Sequence, residues 1–235
     1  MRLDARTLRT LALAVWALLF LWLWANGESV RYLGPRTQWV VPVGAIGLGL
    51  AAIGYVHATR REGGSALSAI EWLGIAGLLL PIVAAATLGG AQLGSLAASN
   101  KLNARGVDPT ALARLASRDA REIGFLQLDA AGRDAGPSNE LGIHPGTPVH
   151  LVGFVSTPPG RPGARFELSR CYITCCIADA VPVGVFVAAP DKRFTQDEWL
   201  DVTGTLTHSK QEWIVRAARV ERVDAPSDPY LSFAA

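Results

Sequence analysis

Long apolar runs fill the first part of this chain, and short alternating segments fill the last. Leu8–Ala25, Trp39–Ala58 and Ile70–Leu88 carry almost no charge. At about 1.5 Å per helical residue each approaches the roughly 30 Å of a bilayer core, which predicts three transmembrane helices. Trp22 and Trp24 fall where an interfacial aromatic belt would lie. A cleaved signal peptide is the competing reading of the first run. Its length, its bulky tryptophans and the lack of a small-x-small cleavage pattern favour a retained span. In the second run Gly44, Gly47, Ala51 and Gly54 recur at helical spacing. Such a stripe lets another backbone approach closely, from this chain or from another membrane protein. Pro81 predicts a kink in the third run, and Glu71 and His57 read as interfacial residues.

Beyond Gly89-Gly90 the pattern changes. Ser95–Gly106 reads as a membrane-proximal connector. Asp108-Pro109 then supplies an N-cap and a first helical position, predicting a helix that reaches Ile123. Ala130–Pro148 is rich in Gly, Pro, Asp and Asn and reads as a loop. Five strand-like segments follow, at Val149–Thr157, Arg165–Thr174, Val181–Ala189, Glu198–Thr207 and Glu212–Val223, separated by Pro- and Gly-bearing turns. Five short antiparallel strands in so few residues suit a small OB-like barrel, and are too few for a seven-stranded immunoglobulin-type sandwich. The expected fold is therefore a membrane α-helical anchor plus an all-β C-terminal domain. Its organisation is a transmembrane region over 1–94, a connector with one helix over 95–147, and a β-barrel domain over 148–235.

Charge sharpens this division. Only 18% of the chain is charged, against about 25% in soluble domains. Residues 1–94 hold seven Lys/Arg and four Asp/Glu, and residues 95–235 hold fifteen and sixteen. The second part is nearly neutral, without the clustered basic face that nucleic acid requires, so the expected partner is the lipid bilayer. Arg2, Arg6, Arg9, Arg60 and Arg61 flank one side of the three spans, and Arg31 and Arg36 the other. Five positive charges against two predict a cytoplasmic N-terminus and an extracytoplasmic β domain.

All three cysteines lie between Arg170 and Ala180. Within one strand Cys171 and Cys175 would stand about 13 Å apart, too far to bridge. Cys175 and Cys176 are adjacent and could close only a strained ring. A turn into the third strand brings Cys176 near Asp179, and a bend at the strand end could bring Cys175 as well. Two thiols and a carboxylate suit a divalent ion such as zinc. Two other readings stay open: buried packing, since free cysteines act as small apolar groups, and thiol redox chemistry. A nucleophilic cysteine would need a base, and only the fold could bring His150 or His208 near. His144 and His150 read as surface or core residues, and Asp179 also reads as a turn or cap residue. No residue is assigned a catalytic role.

The run SRCYITCCIADAVPVGVFV, followed by DEWLDVTGTL and DPY, resembles the YcgQ-like family of bacterial permease subunits. LLLPIVAAATLGGAQLGSLAASNKLNARG is similar to that family's third span and following connector. The most specific block is Arg170, Cys176, Ala178 and Asp179. The resemblance implies a multi-pass protein of the bacterial plasma (inner) membrane, with its soluble domain outside and a polytopic permease as partner. Two departures stand out. Cys171 occupies a position where the family usually has an aromatic or aliphatic residue. The His/Cys-rich loop of some members is replaced by Thr59–Ser65. Some members carry histidine at the position of Cys175, which strengthens the metal reading for Cys175, Cys176 and Asp179 and leaves Cys171 as core. The reading is an accessory subunit of a membrane transport complex whose outer domain binds metal or a small ligand through Arg170, Cys175, Cys176 and Asp179. The alternative is a membrane-anchored extracytoplasmic enzyme that depends on a thiol or a metal.

Overall fold

A computed structural model describes residues 5–60, 68–87, 94–95, 123–133, 142–157, 165–189, 193–209 and 212–231. The predicted helix over 108–122, connector residues 96–106 and most of the loop between the second and third apolar runs lie outside the described residues. The chain divides into two units, Met1–Ala91 and Gln92–Ala235.

In the first unit the apolar runs form helices α1 (Ala5–Ala25), α2 (Val40–Ala58) and α3 (Ala69–Thr87). Only 6% of the apolar window of α1 and 11% of that of α2 is buried inside the protein. Neither is thus the core helix of a water-soluble fold, and both are long and apolar enough to cross a membrane. Leu18, Ile46, Leu50, Ile53 and Leu73 are exposed. In water such a surface would drive association, whereas in lipid it meets its own kind. The third run differs from expectation: α3 is helical, but its described apolar part is only Ala69–Val83, shorter than a full span.

Polar groups tie these helices at one end. Arg9 of α1 donates to the Tyr55 hydroxyl of α2 at 3.2 Å and pairs with Glu71 of α3, while Arg6 donates to the Thr59 carbonyl at 2.8 Å. Further along, Trp16 Nε1 donates to the Leu78 carbonyl at 3.2 Å, one residue from Gly77, whose carbonyl loses its helical donor to Pro81. The small-residue stripe divides. A side chain at Gly44 would meet the Phe20 ring at 3.0 Å, so this position packs on α1, whereas Gly47 and Gly54 have nothing within 4 Å.

The second unit contains helix α4 (Phe125–Arg133) and strands β1 (Pro148–Thr157), β2 (Phe166–Tyr172), β3 (Val181–Ala188), β4 (Trp199–Ser209), β5 (Glu212–Arg222) and β6 (Tyr230–Leu231). Three expectations are corrected. The sheet has six strands, not five, because Tyr230–Leu231 pairs with Cys171–Tyr172; two residues are too few to show alternation in sequence. It is mixed, not antiparallel, because β5 returns beside β3 in the same direction over Phe186–Ala188 and β6 runs parallel to β2. Ala130–Arg133 belongs to α4, not to a loop, because Phe125, Leu126, Leu128, Ala130 and Ala131 bury an apolar face in the core.

The strand order is β1-β4-β5-β3-β2-β6, with a further pairing of β1 to β2 that returns the first five strands on themselves. Alternation fills the interior: Leu200, Val202 and Leu206 from β4, Val183, Val185 and Val187 from β3, and Phe166 and Leu168 from β2. A second, smaller cluster joins Phe154, Cys171, Ile173, Ala180 and Tyr230, with Ile177 and Trp199 against it.

Gly204 stands where the β4–β5 register shifts, between Thr203 and Gly204. A Cβ there would lie 2.3 Å from the Arg216 carbonyl oxygen, so the strands can approach this closely only without a side chain. Gly204→Ala should lower the stability of the β domain by about 1–3 kcal/mol, the usual range for overpacking. Urea unfolding of the full chain followed by near-UV circular dichroism measures this, and an unchanged midpoint would refute it.

Candidate metal-binding turn at Cys175, Cys176 and Asp179

β2 ends at Tyr172, two residues earlier than its sequence suggests. Ile173 remains in the second cluster beside Cys171, and its N–H donates to the Leu231 carbonyl at 3.0 Å. The next three amides leave the sheet. Asp179 captures all of them: Thr174 N–H donates to Oδ1 at 3.0 Å, and Cys175 and Cys176 N–H donate to Oδ2 at 2.7 and 3.4 Å. This carboxylate competes with the ladder for the same donors, which is why the strand stops here. Asp179 closes a single 3-10 turn, Ile177–Asp179, in which its N–H donates to the Cys176 carbonyl at 3.0 Å. β3 then opens at Val181, and Pro182 stands opposite Cys171.

The bend separates the three thiols. Cys171 is buried, Cys176 intermediate and Cys175 exposed, so Cys175 does not share the inward face of Cys171 and Ile173 that an unbroken strand would have given it. The structure thus agrees with a core role for Cys171. Cys175 Sγ lies 3.7 Å from Cys176 Sγ, and one donor atom from each of Cys175, Cys176 and Asp179 lies within 4.8 Å of the others. The turn predicted between Cys176 and Asp179 is present, and it gathers all three residues.

Two sulfurs at about 2.3 Å from a tetrahedral zinc would stand about 3.8 Å apart, close to the separation observed. Asp179 accepts three amides and the Cys175 thiol, which fills about four lone-pair positions, so the direction held by the thiol becomes free for an ion when Cys175 gives up its proton to bind it. A disulfide fits less well. Consecutive Cα atoms stand about 3.8 Å apart, below the usual lower limit of about 4.4 Å for bridged cysteines. The donor set and its spacing therefore suit a thiophilic divalent ion better than a bridge.

The electrostatics favour the protonated thiol. The hydrogen bond to the Asp179 carboxylate, followed by that to Cys176, pushes the Cys175 thiol up to about 11. Burial acts to raise Asp179, but the hydrogen bonds from the Cys175 thiol and from the three amides outweigh it and hold the carboxyl below its usual value. A raised thiol is a weak nucleophile at neutral pH, because the thiolate is the reactive form.

Arg170 has other partners. Its Nε donates to the Pro229 carbonyl at 3.2 Å and its Nη2 to the Asp228 carbonyl, and its guanidinium lies over the Trp199 ring. Burial lowers its pKa and Asp228 raises it in opposition. The observed role of this arginine is to clamp the segment that enters β6. Of the histidines considered as bases, His150 Nε2 meets Asp201 Oδ1 at 2.9 Å, and His208 packs on Trp213 with ring centroids 4.8 Å apart. His144 meets the Thr147 hydroxyl at 3.1 Å. Among the described residues none of them joins the donor group of the turn. Sequence reasoning did not find Ile177 and Ala180, which anchor the turn to the second cluster. They are ordinary apolar residues, with no period to mark them.

This turn belongs to a β domain that follows an apolar helical region. Residues 138–232 match the DUF1980 C-terminal domain, a segment that covers less than half of the chain. The match supports the YcgQ-like resemblance over that segment and is compatible with a membrane-associated accessory protein. No curated protein matches the chain.

Asp179→Asn keeps an oxygen acceptor for the amides but removes the charge that opposes the thiolate. The Cys175 pKa should fall from about 11 toward the ordinary thiol range, raising alkylation by iodoacetamide at neutral pH by roughly tenfold or more. Mass spectrometry of the modified peptide across pH reads this, and an identical profile in both proteins would contradict the assignment. Asp179 itself has a lowered folded pKa. The stability it contributes is thus present above the unfolded carboxyl pKa and lost as pH falls through the folded one.

Proposed function

We propose that this chain is an accessory subunit of a transport complex in the bacterial plasma membrane, and that its extracytoplasmic β domain binds a thiophilic divalent ion such as zinc through Cys175, Cys176 and Asp179. The observation that carries the metal assignment is the convergence of two sulfurs and a carboxylate oxygen within 4.8 Å. Thiolate and carboxylate donors together match the preferences of zinc. The closed set of strand pairings, with β3 and β5 parallel, supports an OB-like barrel as the scaffold.

Three features support the membrane setting. α1 and α2 are apolar and largely uncovered. Arg9, Tyr55 and Glu71 bring one end of α3 to the same level as those of α1 and α2, as a third span would require. The positive charges flank the side that would face the cytoplasm. Gly47 and Gly54 on α2 leave room for the close approach of a helix from a polytopic permease. A thiol enzyme is the weaker reading, because the carboxylate that shapes the turn suppresses the Cys175 thiolate.

The test is metal analysis of the detergent-purified full chain beside Cys175→Ser, Cys176→Ser and Asp179→Ala. One equivalent of zinc in the parent and a marked loss in each variant is expected. Equal metal content in all four proteins would remove the metal assignment. Co-purification with a co-expressed permease after mild detergent extraction tests the partner separately, and a chain that elutes alone counts against it.

A further inference from the structure

The same turn has a second property, which rests on the metal assignment. It supplies three donors and stops. Among the described residues no fourth His, Cys, Asp or Glu joins the group, and the nearest histidines by sequence are engaged with Asp201, Trp213 and Thr147. Structural zinc sites close their tetrahedron with four protein ligands, whereas sites with three keep a position open.

An open position serves either catalysis or exchange, and the surroundings separate these. Catalytic metal sites lie in concave, walled pockets that exclude water and hold a substrate. This site lies on the outside of a turn. Thr174, Cys175 and Ala178 are exposed, and Cys176 and Asp179 are half-buried. The ion would be flanked from below by Ile177 and Ala180, which pack into the second cluster, and would face outward through Cys175. Three backbone amides already engage Asp179, and the Asp179 N–H closes the turn on the Cys176 carbonyl. These bonds fix the orientation of the Asp179 carboxylate and the course of the turn, so the ligand geometry is set before an ion arrives.

We infer that the Cys175–Cys176–Asp179 turn is an open-faced exchange site: it presents a thiophilic divalent ion whose remaining coordination position is filled by a thiolate or imidazole from a partner protein, and the ion passes between them through that shared state. No electron is transferred. The incoming donor forms its bond to the ion, loses its proton to solvent if it is a thiol, and a turn ligand then leaves and takes up a proton.

The full chain in detergent, loaded with Co²⁺ as a spectroscopic stand-in, tests this. One equivalent should bind with a sulfur-to-metal charge-transfer band that Cys175→Ser/Cys176→Ser lacks. A monodentate thiol, and separately imidazole, should shift the visible spectrum while the cobalt still co-elutes with the protein. Zinc should be removed by a chromogenic chelator at a rate proportional to chelator concentration, as expected when the chelator enters the open position first. A spectrum insensitive to both added donors, with chelator-independent release, marks a closed site and overturns the exchange proposal while leaving metal binding intact. Failure to take up Co²⁺ and Zn²⁺, or equal uptake by the double variant, overturns the metal assignment itself.

Discussion

The β domain depends on one pairing of low sequence visibility, the parallel contact of β3 with β5 at Phe186–Ala188. β4 and β5 form a hairpin, and β1 joins it through β4. β2 and β3 form another antiparallel pair. Without the β3–β5 contact these would be two ribbons meeting only at β1–β2. With it, every strand from β1 to β5 has at least two neighbours and the side chains of Leu168, Val187, Leu200 and Val202 become inaccessible to water. Removing edges in this way is the usual solution for small β domains.

The turn that gathers Cys175, Cys176 and Asp179 is a by-product of how that arrangement ends on one side. β2 is held by β3, by β1 and by β6, and Arg170 clamps the carbonyls just before β6. The chain leaving β2 therefore departs from a fixed point, and Asp179 gathers its next three amides into a rigid bend. One carboxylate thus sets the strand boundary, the thiol orientation and the charge of the site. The same group that brings the two thiols together also suppresses the ionisation of Cys175.

Much of this was legible in the residues. The apolar runs located the helices, because water-soluble helices rarely go so long without a charged face. Alternation located the five long strands. The turn between Cys176 and Asp179 was also legible, since Asp favours such capping roles. Direction and pairing were not, because parallel β3 and β5 carry the same alternation as antiparallel strands would. The end of β2 was hidden for a different reason: Ile173 and Thr174 favour strands, and only the competition of Asp179 for their neighbours' amides ends the ladder. Arg170 entered the ligand reading through the family block it shares with Cys176, Ala178 and Asp179, and its contacts with two distant carbonyls had no signal in the sequence. The two residues of β6 and the close approach at Gly204 have no signature at all without the partner strand.

Arg9 carries a consequence in time. Its partners lie 46 and 62 residues further along the chain, Tyr55 on α2 and Glu71 on α3. Synthesis order is therefore an order of neutralisation. α1 emerges with a bare guanidinium, gains a hydroxyl when α2 follows, and meets its counter-charge only when α3 is made. The ion pair of Arg9 is therefore complete only once residue 71 has been made.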